Sequence, residues 1–119
     1  MEKLIFIVDD NDANLTMAAS SLDADCIVLT MPSAQKMFSL LEKKTPDLIL
    51  LDIEMPEMTG LEAIVVLKEN PKWKDIPVIF LTGRDDEKIL ADAEEKSAHD
   101  VINKPIVPAV ILKRVKEII

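Results

Sequence analysis

Five side chains capable of joint chemistry lie directly after short apolar runs in this sequence. Asp9 and Asp10 follow LIFIV, and Asp52 follows LILL. Thr82 follows VIFL, and Lys104 comes two residues after the pair VI. Carboxylate oxygens are ligands for hard cations, and an ammonium group offsets charge on a phosphoryl group. The question is therefore which elements bring these five residues together.

The apolar runs are typical of strands that are covered on both faces. They are short, continuous and rich in β-branched residues, as expected for strands of a parallel sheet. The predicted strands are Leu4–Val8, Cys26–Thr30, Leu48–Leu51, Val78–Leu81 and a shorter one at Val101–Ile102.

Segments with helical spacing of apolar residues separate these strands. Ser33 is placed to cap the second helix, and Thr59 with Glu62 forms a T-x-x-E capping box at the start of the third. Pro108 suits the first turn of the last helix. The predicted helices are Asp12–Leu22, Ser33–Lys43, Gly60–Glu69, Asp85–Lys96 and Pro108–Ile119.

Strict alternation of strands and helices predicts one α/β domain over residues 1–119. Right-handed crossovers give a five-stranded parallel sheet of flavodoxin-like order 2-1-3-4-5, with five helices distributed over both faces. In such sheets ligands bind at the carboxyl ends of the strands, where the strand order reverses. That edge lies between the first and third strands, so Asp9, Asp10 and Asp52 are expected to converge there.

Three neighbouring carboxylates repel one another. At 4 Å and an effective dielectric constant near 20, each like-charged contact costs about 4 kcal/mol. Either some of them bind protons or a cation lies among them, and an all-oxygen set with open water positions suits Mg²⁺ beside a phosphate. The ammonium group of Lys104 supplies one further positive charge.

Composition excludes several classes of partner. A net charge of −8 argues against direct nucleic-acid binding and against an anionic membrane surface. No apolar run approaches the roughly 20 residues of a membrane span, so a soluble cytoplasmic protein is expected. The single Cys26 is expected to be a buried thiol, and the single His99 a surface or loop residue.

Four stretches of the sequence resemble the receiver domain of bacterial response regulators, the CheY-like superfamily of two-component signalling. They are IFIVDDND, PDLILLDIEMPEMTGLEAI, DIPVIFLTG and DVINKPI. They span nearly the whole chain in the expected order, and LLDIEMPEMTGLE is the most characteristic.

The resemblance implies a magnesium-dependent phospho-acceptor site. Asp52 matches the acceptor, and Asp10 matches the carboxylate that binds Mg²⁺ directly, with Asp9 assisting through water. The backbone carbonyl of Glu54 is implied as a further metal ligand. Attack by a carboxylate on phosphorus to form an acyl phosphate is chemically sound without the family.

The remaining implied roles concern the switch. Thr82 matches the hydroxyl that moves to the phosphoryl group, and Lys104 matches the lysine that pairs with it. Pro105 is expected to follow a cis peptide bond. Val101 departs from the family, which usually has Tyr or Phe there, and valine has no ring to rotate inward. Thr82 and the predicted fourth helix are therefore expected to form the switch.

The implied partners are a histidine kinase or a phosphotransfer protein. The implied catalysis is limited to the chain's own phosphotransfer and autodephosphorylation. An output domain is expected to be absent or excised, with the predicted fourth helix, fifth strand and fifth helix forming a face for an output domain, a partner or a second copy. The predicted fifth helix has more apolar residues than one buried face needs, which fits either such a contact surface or the core.

Three alternatives use the same fold class or the same chemistry. A haloacid-dehalogenase-type phosphohydrolase also uses Mg²⁺ and an aspartyl phosphate, but its nucleophile belongs to a D-x-D pattern after the first strand. Here the residue two after Asp52 is Glu54, on the predicted third strand, and that class also needs a longer chain. A flavodoxin-type FMN binder needs hydroxyl and glycine residues where this chain has DDND. A degenerate receiver that only binds partners is disfavoured because all five key positions are filled.

Overall fold

The computed structural model describes residues 2–83, 91, 95 and 98–119. Its strands are β1 (Leu4–Val8), β2 (Ile27–Met31), β3 (Leu48–Asp52), β4 (Val78–Thr82) and β5 (Asp100–Asn103). Its helices within those residues are α1 (Asp12–Leu22), α2 (Ala34–Leu41), α3 (Gly60–Glu69) and α4 (Pro108–Lys116). The helix predicted over 85–96 lies outside the described residues except at Ala91 and Glu95.

The five strands form one parallel sheet in the order β2-β1-β3-β4-β5, which confirms the predicted topology. The strands β1, β3 and β4 occupy its centre, and all of β3 and β4 is buried. Their continuous apolar runs follow from this position, because helices cover both faces of a parallel sheet. β2 begins one residue later than predicted, and β5 is longer by one residue at each end.

Two apolar layers hold the helices on the sheet. Successive strand residues point to opposite faces, so Phe6 lies in one layer while Ile5 and Ile7 lie in the other. The Phe6 layer contacts buried residues of α2 and α3, and the Ile5 layer contacts those of α1 and α4. The site residues follow at the carboxyl edge of the central strands, between these two layers.

The helix starts are set by the predicted caps. Ser33 Oγ accepts the Lys36 N–H at 3.2 Å, and the Thr59–Glu62 capping box is present. The far ends of two helices are shorter than predicted: α2 stops at Leu41 and α4 at Lys116. At each end one carbonyl, that of Leu40 in α2 and that of Val115 in α4, accepts N–H groups from both three and four residues ahead, the usual fraying of a last turn.

The isolated Cys26 and His99 occupy the predicted environments. Cys26 is buried, and burial together with the nearby Asp25 raises the pKa of its thiol. His99 is exposed. Within the described residues, no helix is long and apolar enough to cross a membrane.

Most of the surplus apolar residues of α4 belong to the core. Ile111 and Val115 are fully buried, and Leu112, Ile118 and Ile119 pack partly buried against the same layer. Val110 is the large apolar side chain of this helix that stays exposed, at 42%. Val107, the residue just before the helix, is exposed as well.

Candidate functional site

The carboxyl edge of the central strands brings three aspartates together. Val8 pairs with Leu51 across β1 and β3, so the residues that follow them, Asp9 and Asp52, are neighbours. One carboxylate oxygen from each of Asp9, Asp10 and Asp52 lies within 4.8 Å of the others. Asp9 and Asp52 are buried and Asp10 is exposed, so the cluster has a closed floor and an open mouth.

Lys104 closes the floor of this cluster. Its Nζ lies 3.1 Å from Asp52 Oδ1, to which it donates a hydrogen bond, and 2.9 Å from Asp9 Oδ2. The Lys104 backbone N–H donates to Thr82 O at 2.7 Å, which fixes the loop after β5 against the end of β4. The peptide bond between Lys104 and Pro105 is cis.

Burial sets the protonation of the central carboxylate. Desolvation raises the pKa of Asp52 to about 7, with the charge of Asp9 adding to the rise and the hydrogen bond from Lys104 opposing it. Burial by itself lowers the pKa of Lys104, but hydrogen bonding and charge from Asp9 and Asp52 outweigh it and raise this pKa above its usual value. Lys104 therefore stays charged, and Asp52 needs further positive charge to remain ionised at neutral pH.

The donor set fits a divalent hard cation. Three carboxylates and one ammonium group leave an excess of two negative charges when all are ionised. Asp9 Oδ2 is buried, and among the described residues it is paired with the ammonium group of Lys104 at 2.9 Å. The ligands are all oxygens and the mouth is open to water, which suits Mg²⁺.

The loop from β3 to α3 contacts both the side chain and the backbone of Asp52. The Glu54 N–H donates to Asp52 Oδ1 at 3.3 Å, and the Gly60 N–H donates to Ile53 O at 2.9 Å. A Cβ atom at Gly60 would lie 2.3 Å from Asp52 O, so only glycine fits. Sequence reasoning placed Gly60 at a helix start and missed this contact, because spacing alone does not reveal two backbones this close.

Thr82 and Val101 lie on the neighbouring strands. Thr82 is fully buried at the end of β4, directly after Leu81, which pairs with Asp52. Val101 pairs with Phe80 across β4 and β5 and packs, half-buried, on the core layer of Phe80. Thr82 is thus one strand away from the aspartate cluster, and Val101 is one strand further.

The sequence matches the family described as response regulator receiver domain over residues 5–116. Among curated relatives, the response regulator PleD of Caulobacter vibrioides is 31% identical, and the match covers 99% of this chain and 26% of PleD. This chain thus spans about a quarter of the length of that relative.

Two solved structures share the fold. The chemotaxis protein CheY4 of Vibrio cholerae superposes with a TM-score of 0.94 at 24% identity, over 100% of both chains. The BeF3-activated receiver domain of DrrB, a Thermotoga maritima protein, gives a TM-score of 0.90 at 26% identity, over 99% of this chain and 97% of the other.

Proposed function

Because this chain belongs to the response regulator receiver domain family, we propose that Asp52 accepts a phosphoryl group from a histidine kinase or a phosphotransfer protein. The observation that carries this role is the position of Asp52. It is the buried carboxylate that contacts Lys104, lies beside Asp9 and Asp10, and follows the central strand β3. A carboxylate so placed has both a nucleophilic oxygen and a positive neighbour.

In the proposed reaction an ionised Asp52 oxygen attacks phosphorus as the bond from phosphorus to the donor histidine nitrogen breaks. The leaving electron pair stays on the imidazole, and the product is an acyl phosphate on Asp52. Lys104 Nζ, now 3.1 Å from Asp52 Oδ1, would turn its hydrogen bond to a phosphoryl oxygen. The ammonium group then offsets charge that develops on the transferring group.

We propose that Mg²⁺ is held by the carboxylates of Asp10 and Asp52 and by the backbone carbonyl of Glu54, with Asp9 assisting through water. When bound, the cation supplies positive charge beside the phosphoryl oxygens. Asp9 is buried beside Asp10 and Asp52 and shares the ammonium group of Lys104 with Asp52, which supports its assisting role. The exposed Asp10 leaves room for water, which Mg²⁺ usually retains.

The proposed switch begins at Thr82. Phosphorylation adds about −1.5 to −2 charges at Asp52, and the Thr82 hydroxyl would move to contact the new oxygens. Val101 is half-buried and has no ring, so the output is proposed to pass through the backbone after β4 rather than through a rotation at β5. The proposed output face comprises the predicted fourth helix, β5 and α4, where an output domain, a partner or a second copy would bind.

The proposed activity is confined to the chain's own chemistry, phosphotransfer to Asp52 and hydrolysis of the product. We propose that this chemistry takes place in the cytoplasm, together with the proposed histidine-phosphorylated donor. We treat residues 1–119 as one receiver domain, and no output activity is assigned to it.

The family match does not support the haloacid-dehalogenase alternative. In that class the nucleophile is the first aspartate of a D-x-D pattern after the first strand, whereas the residue two positions after Asp52 is Glu54. Asp52 instead ends the third strand of the chain.

Incubation with acetyl phosphate and Mg²⁺ tests the proposal. Intact mass spectrometry should show one phosphoryl adduct on the wild-type chain, and EDTA should prevent it. Beryllofluoride should replace the phosphoryl group and shift the amide resonances of Asp52 and Thr82. A chain that carries no adduct with either reagent would overturn the function.

Two matched variants locate the chemistry. Asp52→Asn should abolish the adduct, because the amide is not a nucleophile here. Asp10→Asn should lower the labelling rate at limiting Mg²⁺ and recover part of it at high Mg²⁺. Equal labelling of both variants and the wild type would contradict the assigned roles.

A further inference from the structure

A groove of about 490 Å³ opens beside the aspartate cluster. Its apolar part is formed by Ile53, Met55 and Leu61, and its polar end by Asp10 and Glu54. Ile53 and Met55 are buried in the core layer below, whereas Leu61 is only half-buried at the surface. The groove therefore joins a rigid apolar wall to a pair of exposed carboxylates.

The charged side chains that line this groove are all negative in the part of the chain that the structure describes. No Lys or Arg lines it, and neither Asp10 nor Glu54 forms an ion pair with another residue in the described part of the chain. Glu57, in the same β3–α3 loop, is also exposed. The proposed cation would use Asp10, but the side chain of Glu54 would remain available, since only its backbone carbonyl is assigned to the metal.

We propose that this groove binds the side chain of an arginine or lysine on the protein that donates the phosphoryl group. The apolar stem of that side chain would lie on Met55 and Leu61, and its charged head would pair with Glu54. This inference rests on the proposed function, because it names how the donor is held at the same site.

Two observations favour a basic side chain of the donor over other occupants. The donor must reach Asp52 from the open carboxyl edge of the sheet, and the groove lies at that edge. Its carboxylates, on a chain of net charge −8, repel acidic segments, nucleic acids and anionic lipids. An amphipathic cation matches both the wall and the charge.

Titration with butylguanidinium tests the chemistry of the groove. In ¹H–¹⁵N NMR spectra of the Mg²⁺-loaded chain, the probe should shift the amides of Ile53, Glu54 and Leu61 in a saturable manner. The uncharged isostere butylurea should bind about fivefold more weakly, as expected for loss of one exposed ion pair. Equal binding of the two probes, or shifts spread over all acidic surfaces, would overturn the proposal.

Two leucine variants distinguish a specific loss of binding in the groove from a general effect on the fold. Leu61→Ser should weaken butylguanidinium binding about tenfold through the lost apolar contact. Leu40→Ser is the matched control, because Leu40 is also half-buried on a helix and packs on the same core layer. The control variant should bind the probe as the wild type does, and equal loss in both variants would indicate a general effect on the core.

Two reactions distinguish the failure of this proposal from failure of the proposed function. Acetyl phosphate has no basic side chain, so Leu61→Ser should be labelled on Asp52 at the wild-type rate. Transfer from the autophosphorylated histidine kinases of the same genome should be about tenfold slower to Leu61→Ser than to Leu40→Ser. Equal transfer to both would overturn the donor as occupant, whereas a wild type that acetyl phosphate does not label would overturn the function itself.

Discussion

The aspartate pocket has a buried half and an exposed half with different physical properties. Asp9, Asp52 and Lys104 form the buried half, in which the two carboxylates are almost fully enclosed and share one ammonium group. Asp10 and Glu54 form the exposed half and have no ion pair among the described residues.

We therefore expect the two halves to contribute differently to the reactivity of the site and to the stability of the fold. In the buried half, desolvation makes every uncompensated charge costly, so that half sets the protonation and reactivity of Asp52. In the exposed half, water screens the charges, so Asp10 and Glu54, the residues proposed to bind the metal and the donor, should cost little in folding stability. The predictions below test this difference, from the largest effect to the smallest.

The largest effect is expected for the pH dependence of stability without metal. The pKa of Asp52 is about 7 in the folded chain, above its ordinary value near 3.8. The folded state therefore binds a proton more tightly than the unfolded state. Stability is highest below pH 4 as far as Asp52 is concerned, and up to about 4 kcal/mol is lost as the pH rises through 7.

Urea unfolding of wild type and Asp52→Asn between pH 4 and 8 isolates this loss. The difference between the two unfolding free energies should grow with pH, with the variant more stable at pH 8. Mg²⁺ should reduce it. Asp10→Asn, in the exposed half, should change stability by about 0.5 kcal/mol or less. A similar pH dependence of the unfolding free energy in both variants would contradict the distinction between the buried and the exposed half.

Replacement of Lys104 should have the next largest effect. Lys104→Met keeps the length of the side chain but leaves Asp9 and Asp52 buried without their ammonium partner. The variant should lose about 3 kcal/mol at pH 8, and less at pH 5 where Asp52 binds a proton. Lys116→Met is the control, since Lys116 is 59% exposed and lies 3.9 Å from Asp25; chemical unfolding should show almost no loss for it.

The two glycines of the chain should respond differently to alanine. Gly60→Ala forces a Cβ atom against the Asp52 carbonyl and should cost about 2 kcal/mol, together with weaker Mg²⁺ binding by calorimetry. Gly83 has no atom within 4 Å of an added Cβ, so Gly83→Ala should stay within about 0.5 kcal/mol. Neither glycine has a positive φ, so the contrast measures space alone. Equal costs would refute the close approach at Gly60.

The smallest effect is expected at the exposed part of the β3–α3 loop. Glu57 has a φ of 70°, and the Met58 N–H donates to Pro56 O at 2.8 Å across it, a strained three-residue turn. Glu57→Gly should raise the melting temperature through a gain of about 1 kcal/mol. Glu57→Ala retains the Cβ atom and the strain, so a gain of the same size in that variant would contradict this account.

Much of the fold was predictable because its signals are local. The central strands are continuous apolar runs, and Ser33, Thr59 and Pro108 mark helix starts through capping chemistry that acts within a few residues. The predicted ends of α2 and α4 lie too far along the chain, because the last turns fray into mixed i→i+3 and i→i+4 hydrogen bonds that apolar spacing does not reveal.

The meeting of the three aspartates at one edge of the sheet was predictable, whereas the burial of each aspartate was not. Topology alone brings Asp9, Asp10 and Asp52 to one edge. Whether each is buried depends on packing around it, so the closed floor and the open mouth appear only in three dimensions. The close approach of Gly60 to the Asp52 carbonyl likewise depends on how two backbone segments pack, which no sequence motif specifies.

Chemical mapping of the acceptor tests the central claim most directly. The chain is labelled with acetyl phosphate and Mg²⁺ and reduced with borohydride, which converts an aspartyl phosphate to homoserine. Peptide sequencing by mass spectrometry should then find homoserine at position 52 and at no other aspartate. Homoserine at Asp9 or Asp10, or an unmodified Asp52 in a labelled chain, would contradict the assignment of Asp52 as the phospho-acceptor.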